Sequence, residues 1–272
     1  NKFLIGTPAL GNLDDDPDLE IVFGSFSSSA LLYAVNIDGS DVDGFPVELD
    51  EKTQKGVALA DFNGNGKDDI VVGTDDDNIY LIYDDGQIAP GFPYLTQDKI
   101  RSAPVVVDTG NEKIIIVGSK DNNLYGINSD GTLRFLFETD DEIYTSPSFL
   151  STPSGLLIFF GNDSGNLYAI DINGNLHSGF PINNSNQMNF DSIVGSVVFE
   201  DLNSDGKLEI IFGDQMGRLY VLESEDENYT SFNAYNNFPI SNVFALSSSP
   251  NIADIDNDND SDIYAGTSGD VI

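Results

Sequence analysis

The residues best equipped for chemistry are oxygen-bearing side chains spaced two apart in short glycine-containing loops. In Asp61-Phe62-Asn63-Gly64-Asn65-Gly66-Lys67-Asp68-Asp69, side-chain oxygens fall at the first, third, fifth and ninth positions, and Gly66 stands at the sixth. The main-chain carbonyl of Lys67 is available at the seventh. That is the ligand set a hard cation of calcium's size takes from a short loop. The pattern recurs at Asp201, Asn203, Asp205, Lys207 (carbonyl) and Glu209, with Gly206 at the sixth position. It recurs again at Asp254, Asp256, Asp258, Asp260 (carbonyl) and Asp262. Each copy leads into an apolar run closed by Gly73, Gly213 or Gly266. A lone Asp/Asn/Gly cluster is as well explained by a solvated turn; three at one phase of a repeat favour Ca2+ loops.

A fourth copy, Asn12, Asp14, Asp16, Asp18 (carbonyl) and Glu20, precedes Ile21-Val22-Phe23-Gly24 but has Pro17 at the glycine position. Proline is fixed near φ −65° and cannot take the left-handed turn that glycine permits, so this loop must run differently or bind more weakly. The spacing resembles the first nine residues of an EF-hand loop. The apolar, β-branched exit in place of a helix and a bidentate Glu argues against that motif.

Other chemistries find little support. There is no cysteine, which removes disulfides, thiolate ligands and a Cys nucleophile. His177 is the only histidine and sits in a turn, where a solvated residue is the simpler reading, and no Ser-His-Asp set can be built without it. Arg101, Arg134 and Arg218 lie in different repeats and read as blade-edge ion pairs. With 46 acidic against 11 basic residues and a net charge of −35, binding to nucleic acid or an anionic membrane surface is disfavoured, since both need clustered Lys and Arg. No run approaches the roughly 20 apolar residues of a membrane helix. Asn1-Lys2-Phe3-Leu4-Ile5-Gly6 lacks the apolar core of a signal peptide, so the expectation is a soluble chain, mature or a fragment.

The elements that must hold these loops are strands. Gly24, Gly73, Gly118, Gly161, Gly213 and Gly266 close equivalent apolar runs at a mean spacing of about 48 residues, a period of propeller blades or helical arrays. Runs of four to six β-branched or aromatic residues between Gly, Asp and Asn turns decide for strands. The second repeat reads Val57–Ala60, the loop, Ile70–Val72, Ile79–Tyr83, an Asp85-Gly86 turn and an outer segment at Tyr94-Leu95. Four antiparallel strands per repeat make one blade of a β-propeller. The predicted fold is therefore all-β, with repeats near 7–54, 55–100, 101–143, 144–193, 194–245 and 246–272 in one domain. The sixth stops at Asp270-Val271-Ile272 as its third strand begins, so seven blades would need further chain. The third and fourth repeats lack loop oxygens and are expected to be calcium-free.

Third strands share a tyrosine, at Tyr33, Tyr80, Tyr125, Tyr168 and Tyr220. It could line a ligand-stacking ring; filling the space between blades with its hydroxyl at the edge is the favoured alternative. Gly-Phe-Pro at 44–46, 91–93 and 179–181, with Asn237-Phe238-Pro239 as a variant, suits an outer edge strand because proline withholds a donor.

Phe23-Gly24, Phe160-Gly161 and Phe212-Gly213, the Gly6-Thr7-Pro8 and Ser102-Ala103-Pro104 approaches to inner strands, and the oxygen-rich loops together resemble the FG-GAP/VCBS repeats. That resemblance spans essentially the whole chain. It implies an integrin-α-like, calcium-bound propeller, extracellular or at the cell surface, used for adhesion or for binding a protein or glycan and often joined to other domains. One rhamnogalacturonan lyase family also carries a calcium-bearing propeller, so a polysaccharide lyase, or an accessory domain of one, is the alternative. A quinoprotein dehydrogenase is disfavoured by the absence of tryptophan.

Alternation of strands puts the calcium loops and Asp-Gly hairpins on one face. The opposite face should carry 25–30, 75–77, 140–144 and the long 183–192 crossing. Met188 and Phe190 in that crossing could present a docking surface for a protein or neutral glycan, or could plug a blade junction.

Overall fold

In the computed structural model the described residues are 4–183, 188, 190–242, 244–258 and 260–268; the sixth repeat's end at 269–272 and most of the amide-rich crossing, at 184–187 and 189, lie outside them. All regular elements among them are strands. Two compact units divide the chain, Asn1–Glu138 and Thr139–Ile272.

The first unit holds three four-stranded antiparallel sheets. The first is β1 (Ala9–Gly11), β2 (Glu20–Gly24), β3 (Leu31–Val35) and β4 (Val47–Glu48). The second is β5 (Ala58–Ala60), β6 (Asp69–Gly73), β7 (Asn78–Ile82) and β8 (Tyr94–Leu95). The third is β9 (Val105–Asp108), β10 (Lys113–Gly118), β11 (Asn123–Asn128) and β12 (Leu133–Glu138). Each sheet follows chain order from its first strand outward. The first strands of successive sheets are neighbours, β1 beside β5 and β5 beside β9, the arrangement of propeller blades.

The second unit departs from four strands. Its first sheet, β13 (Ser148–Thr152), β14 (Gly155–Gly161) and β15 (Leu167–Asp171), has three. The expected fourth strand is reduced to isolated bridges Leu167↔Ile182 and Ile170↔Leu176. In the next sheet, β16 (Val198–Glu200), β17 (Glu209–Gly213) and β18 (Arg218–Ser224) are followed by β19 (Phe232–Ala234) and β20 (Ile240–Ser241), which both pair with β18. The last pair is β21 (Asn251–Ala253) with β22 (Asp262–Tyr264).

Middle strands are buried on both faces, which is why they read as continuous apolar runs: β6 and β17 are buried at every residue. The phenylalanine of each Phe-Gly pair lies in register opposite the third-strand tyrosine, and the rings stack: Phe23 on Tyr33 at 5.2 Å, Phe160 on Tyr168 at 5.2 Å and Phe212 on Tyr220 at 5.2 Å. Such cross-strand aromatic pairs contribute roughly 0.5–1.5 kcal/mol beyond burial. Tyr80, Tyr125, Tyr168 and Tyr220 are buried, and the first three donate their hydroxyls to Asp50, Asp121 and Asp140 at 3.0, 2.6 and 3.0 Å. The tyrosines are therefore packing residues with an anchored edge.

Gly-Phe-Pro plays a part beyond that of an edge proline. Gly44 and Gly91 have φ of +91° and +89°, and a Cβ on either would meet the carbonyl of Asp85 or Asp130 at 2.1 or 2.2 Å. The glycine of one blade thus lies against the Asp-Gly hairpin of the next. The following Phe45-Pro46, Phe92-Pro93, Phe180-Pro181 and Phe238-Pro239 bonds are all cis.

Candidate metal centres

Each candidate loop joins the first strand of a blade to the second, and its ninth-position acid opens the second strand, which is largely buried in blades one, two and five. In the second blade, Asp61 Oδ1 accepts the Gly64 and Asn65 amides at 2.6 and 3.2 Å, and Oδ2 accepts the Gly66 amide at 2.9 Å. Asn63 Oδ1 takes the Asn65 amide at 3.0 Å and Asn65 Oδ1 that of Lys67 at 2.8 Å. The chain winds inward around these oxygens because Gly64 and Gly66 take φ of +77° and +88°. Loop five repeats the scheme: Asp201 accepts Asp205 and Gly206 amides at 3.0 and 2.9 Å, with Ser204 and Gly206 at φ +60° and +85°. In loop six, Asp258 donates its amide to Asp254 and Asp256, and Asn257 has φ +62°.

The ninth-position acids Glu20, Asp69 and Glu209 are all buried. They accept main-chain amides from the loop start, Leu13 to Glu20 at 2.6 Å, Phe62 to Asp69 at 2.7 Å and Leu202 to Glu209 at 2.7 Å. Burial pushes the Asp69 carboxyl up to about 6, and it raises Glu209 as well, aided by the nearby Asp205, Asp201 and Glu223. A buried carboxylate with acidic neighbours gains from a bound cation, which favours the charged form.

The loop with Pro17 does run differently, as expected. None of its residues takes positive φ; Asp14 and Asp16 instead accept amides two residues on, from Asp16 and Asp18 at 2.9 and 2.8 Å. Asp14, Asp16 and Glu20 nonetheless bring one oxygen each within 4.8 Å of one another, as do Asp254, Asp256 and Asp262. Asn12 Oδ1 at the first position is buried with no hydrogen-bond partner. All donors are hard oxygens, and this set fits calcium. In loop five, Asp205 is drawn toward Lys207 Nζ, at 3.2 Å, whose ammonium also donates to the Ser224 carbonyl at 2.6 Å.

Two contributors escaped the sequence reading. Asp84, just past the third strand, accepts Asn65 Nδ2 at 2.9 Å and donates its amide to Asp69 at 3.1 Å. Glu223 accepts Asn203 Nδ2 at 3.2 Å. Their signal was an acid at the end of the third strand of a loop-bearing repeat. These contacts also put the loops and the Asp-Gly hairpins on one face, as strand alternation requires.

On the opposite face Phe190 takes the second of its two expected places, at a blade junction. Its ring is buried and packs edge-on against Phe212 and Tyr220 at 5.0 and 4.7 Å, with Met188 partly buried in the same cluster. It packs over that stacked pair and so plugs the junction. His177 is half-buried rather than freely solvated, and its Nε2 lies 2.6 Å from the Asn228 carbonyl. Arg101, Arg134 and Arg218 pair with Asp75, Glu112 and Asp214 at 2.7, 2.8 and 2.6 Å, as the sequence suggested. A cleft of about 660 Å³ opens on the loop face beside Asp205 and Lys207, walled by Leu150, Pro153, Asp226 and Tyr229.

The family model of the FG-GAP-like repeat matches residues 201–265, which contain loops five and six. A second model, the lambda-carrageenase beta-propeller domain, matches residues 21–144. The chain is a β-propeller that carries an FG-GAP-like repeat. No curated protein matches it. Among solved structures, BamB from Moraxella catarrhalis is similar at TM-score 0.58 and 15% identity, covering 97% of this chain and 80% of that one. Quinohemoprotein alcohol dehydrogenase from Comamonas testosteroni is similar at TM-score 0.57 and 13% identity, over 86% of this chain and 43% of that one. The WD40 beta propeller domain of Doa1 is similar at TM-score 0.56 and 12% identity, over 92% and 72%. At these identities the likeness concerns the propeller fold alone.

Proposed function

We propose that this propeller is a calcium-stabilised, non-catalytic module of an extracellular protein that binds a protein or a neutral glycan. The observation that carries the reading is the repeated loop, whose oxygens converge in blades one and six and whose ninth-position acid is buried in blades one, two and five. Asn12, Asp14, Asp16 and Glu20 would hold one ion, with the Asp18 carbonyl; Asp61, Asn63, Asn65 and Asp69 a second, with that of Lys67. Asp201, Asn203, Asp205 and Glu209 would hold a third, and Asp254, Asp256, Asp258 and Asp262 a fourth. Calcium so held is structural, because the loop itself supplies the ligands. The engaged His177 and the three paired arginines support a non-catalytic role. The cleft beside loop five is a place for a ligand that bound calcium would keep in shape.

The match to a lambda-carrageenase propeller domain favours a second reading, an accessory domain of a polysaccharide-degrading enzyme. Incubating the chain with anionic and neutral polysaccharides and measuring new reducing ends or unsaturated products separates the two; turnover lost with EDTA would defeat the binding-module reading.

Metal binding is tested with Asp205→Ala. Modules of this kind bind calcium with Kd of roughly 10⁻⁴–10⁻³ M, so at about 1 mM each filled site adds on the order of 0.4–1.4 kcal/mol. The variant should melt lower than the parent in calcium and nearly equal to it in EDTA. An equal loss in both conditions would show that the loop is not a metal site.

A further inference from the structure

The loop of the first blade, loop one, lacks the device that orients the leading ligand elsewhere. In loops two, five and six the first-position oxygens accept amides of their own loop: Asp61 takes those of Gly64, Asn65 and Gly66, Asp201 those of Asp205 and Gly206, and Asp254 that of Asp258. Positive φ at Gly66, Gly206 or Asn257 turns the chain back to allow this. Loop one has no positive φ between 12 and 20, and Asn12 Oδ1 is buried without a hydrogen-bond partner. Its leading residue is held from outside instead.

The hold comes from loop two. Asp68 Oδ2 accepts the Asn12 amide at 3.0 Å, and the Asp68 amide donates to the Asn12 carbonyl at 2.7 Å. A Cβ on Gly11 would lie 2.7 Å from the same Asp68 oxygen, so the carboxylate is seated against the end of β1. The next amide, that of Leu13, is tied to Glu20 at 2.6 Å, which leaves the Asn12 main chain fixed on both sides. Lys67 Nζ adds an ion pair to Asp15 at 3.1 Å. Loops five and six repeat the relation in weaker form: Ser261, at the eighth position as Asp68 is, donates its hydroxyl to Glu200 Oε1 at 3.0 Å, and Glu200 directly precedes Asp201.

Asp68 is not among the ligands of its own loop, yet it sits between the Lys67 carbonyl and Asp69, two ligands of the second ion. Building on the calcium reading, we propose that Asp68 is a positioning residue for the first metal site and that the first and second sites bind calcium cooperatively. An ion in loop two fixes residues 67 and 69, hence Asp68, hence the Asn12 main chain from which the first ligand projects. Loop one then loses less freedom on taking its own ion, and the coupling acts equally on both sites. It also accounts for Pro17 at the glycine position: the turn that proline forbids is not the device this loop uses.

The test is a calcium titration of the intact chain followed by amide NMR, with Leu13 and Asp16 reporting loop one, Gly64 and Gly66 loop two, and Gly206 loop five. Asp68→Ala should raise the calcium midpoint of loop one by about fivefold or more, the lower end of usual coupling between sites, and leave that of Gly206 unchanged. Asp68→Asn removes the same charge but keeps an acceptor for the Asn12 amide, and should stay within about twofold of the wild type. Asp61→Ala touches neither Asp68 nor any ligand of the first ion; it should abolish the loop-two response and raise the loop-one midpoint as Asp68→Ala does. A loop-one midpoint unmoved in Asp68→Ala or in Asp61→Ala, an equal shift in Asp68→Asn and Asp68→Ala, or a wild-type loop one that ignores calcium while loop two responds would each overturn the proposal alone. No response to calcium at any of the three loops would overturn the calcium reading itself.

Discussion

At the scale of single residues, the useful distinction is between side chains that complete a packing unit and side chains left with unused capacity. Phe190 belongs to the first kind. Its ring closes a three-ring cluster with Phe212 and Tyr220 and contacts no solvent to speak of, at 3% exposure. Phe190→Ala should therefore cost about 3–5 kcal/mol of stability, the range for emptying a buried aromatic site. Denaturant midpoints measure it, and a loss below about 1 kcal/mol would return Phe190 to the surface reading. Asn12 Oδ1 belongs to the second kind, because it is buried without a hydrogen-bond partner. Unmet polar capacity of this sort costs free energy in the bare protein, and a cation there would recover it.

At the scale of elements, the blades are joined by a contact between motifs that local sequence describes separately. Gly44 of Gly-Phe-Pro and Gly86 of the next Asp-Gly hairpin each lie where a Cβ would strike the other segment's carbonyl, Asp85 at 2.1 Å and Gly44 at 2.4 Å. Gly44→Ala carries two penalties, positive φ and a backbone clash that no rotamer relieves, and should destabilise by about 2 kcal/mol or more. Gly39→Ala is the control, with φ +85° and nothing within 4 Å, so it bears the first penalty alone. Equal melting of the two variants would remove the inter-blade contact from the account. The strands, the Asp-Gly turns and the oxygen spacing of the loops were legible in the sequence because each is fixed by residues a few positions apart. The Gly44 contact was not, since its partner lies about 40 residues on and each motif has a sufficient local explanation. The shortened fourth strand after β15 was hidden for a related reason: Leu176 and Ile182 keep the apolar pattern while pairing only as single bridges. Asp84 and Glu223 were missed because an acid at or just past the end of a strand looks like ordinary turn chemistry until the fold brings it over the loop.

At the scale of the whole molecule, charge and metal binding belong to one balance. A net charge of −35 opposes compaction through self-repulsion, and that repulsion varies roughly as the square of the charge. Four calcium ions would bring about +8, lowering the square, and with it the repulsion, by about two-fifths. Added salt relieves the same repulsion by screening, with a reach that falls from about 30 Å at 0.01 M to about 10 Å at 0.1 M. The two remedies should therefore overlap. In EDTA, Tm should climb steeply as sodium chloride rises through that range; at saturating calcium the climb should be visibly shallower. Calorimetric scans across the salt series, with and without calcium, check this. Parallel salt curves would mean that calcium stabilises through its loops alone, or does not bind, and the Asp205→Ala comparison in calcium and in EDTA decides between those two.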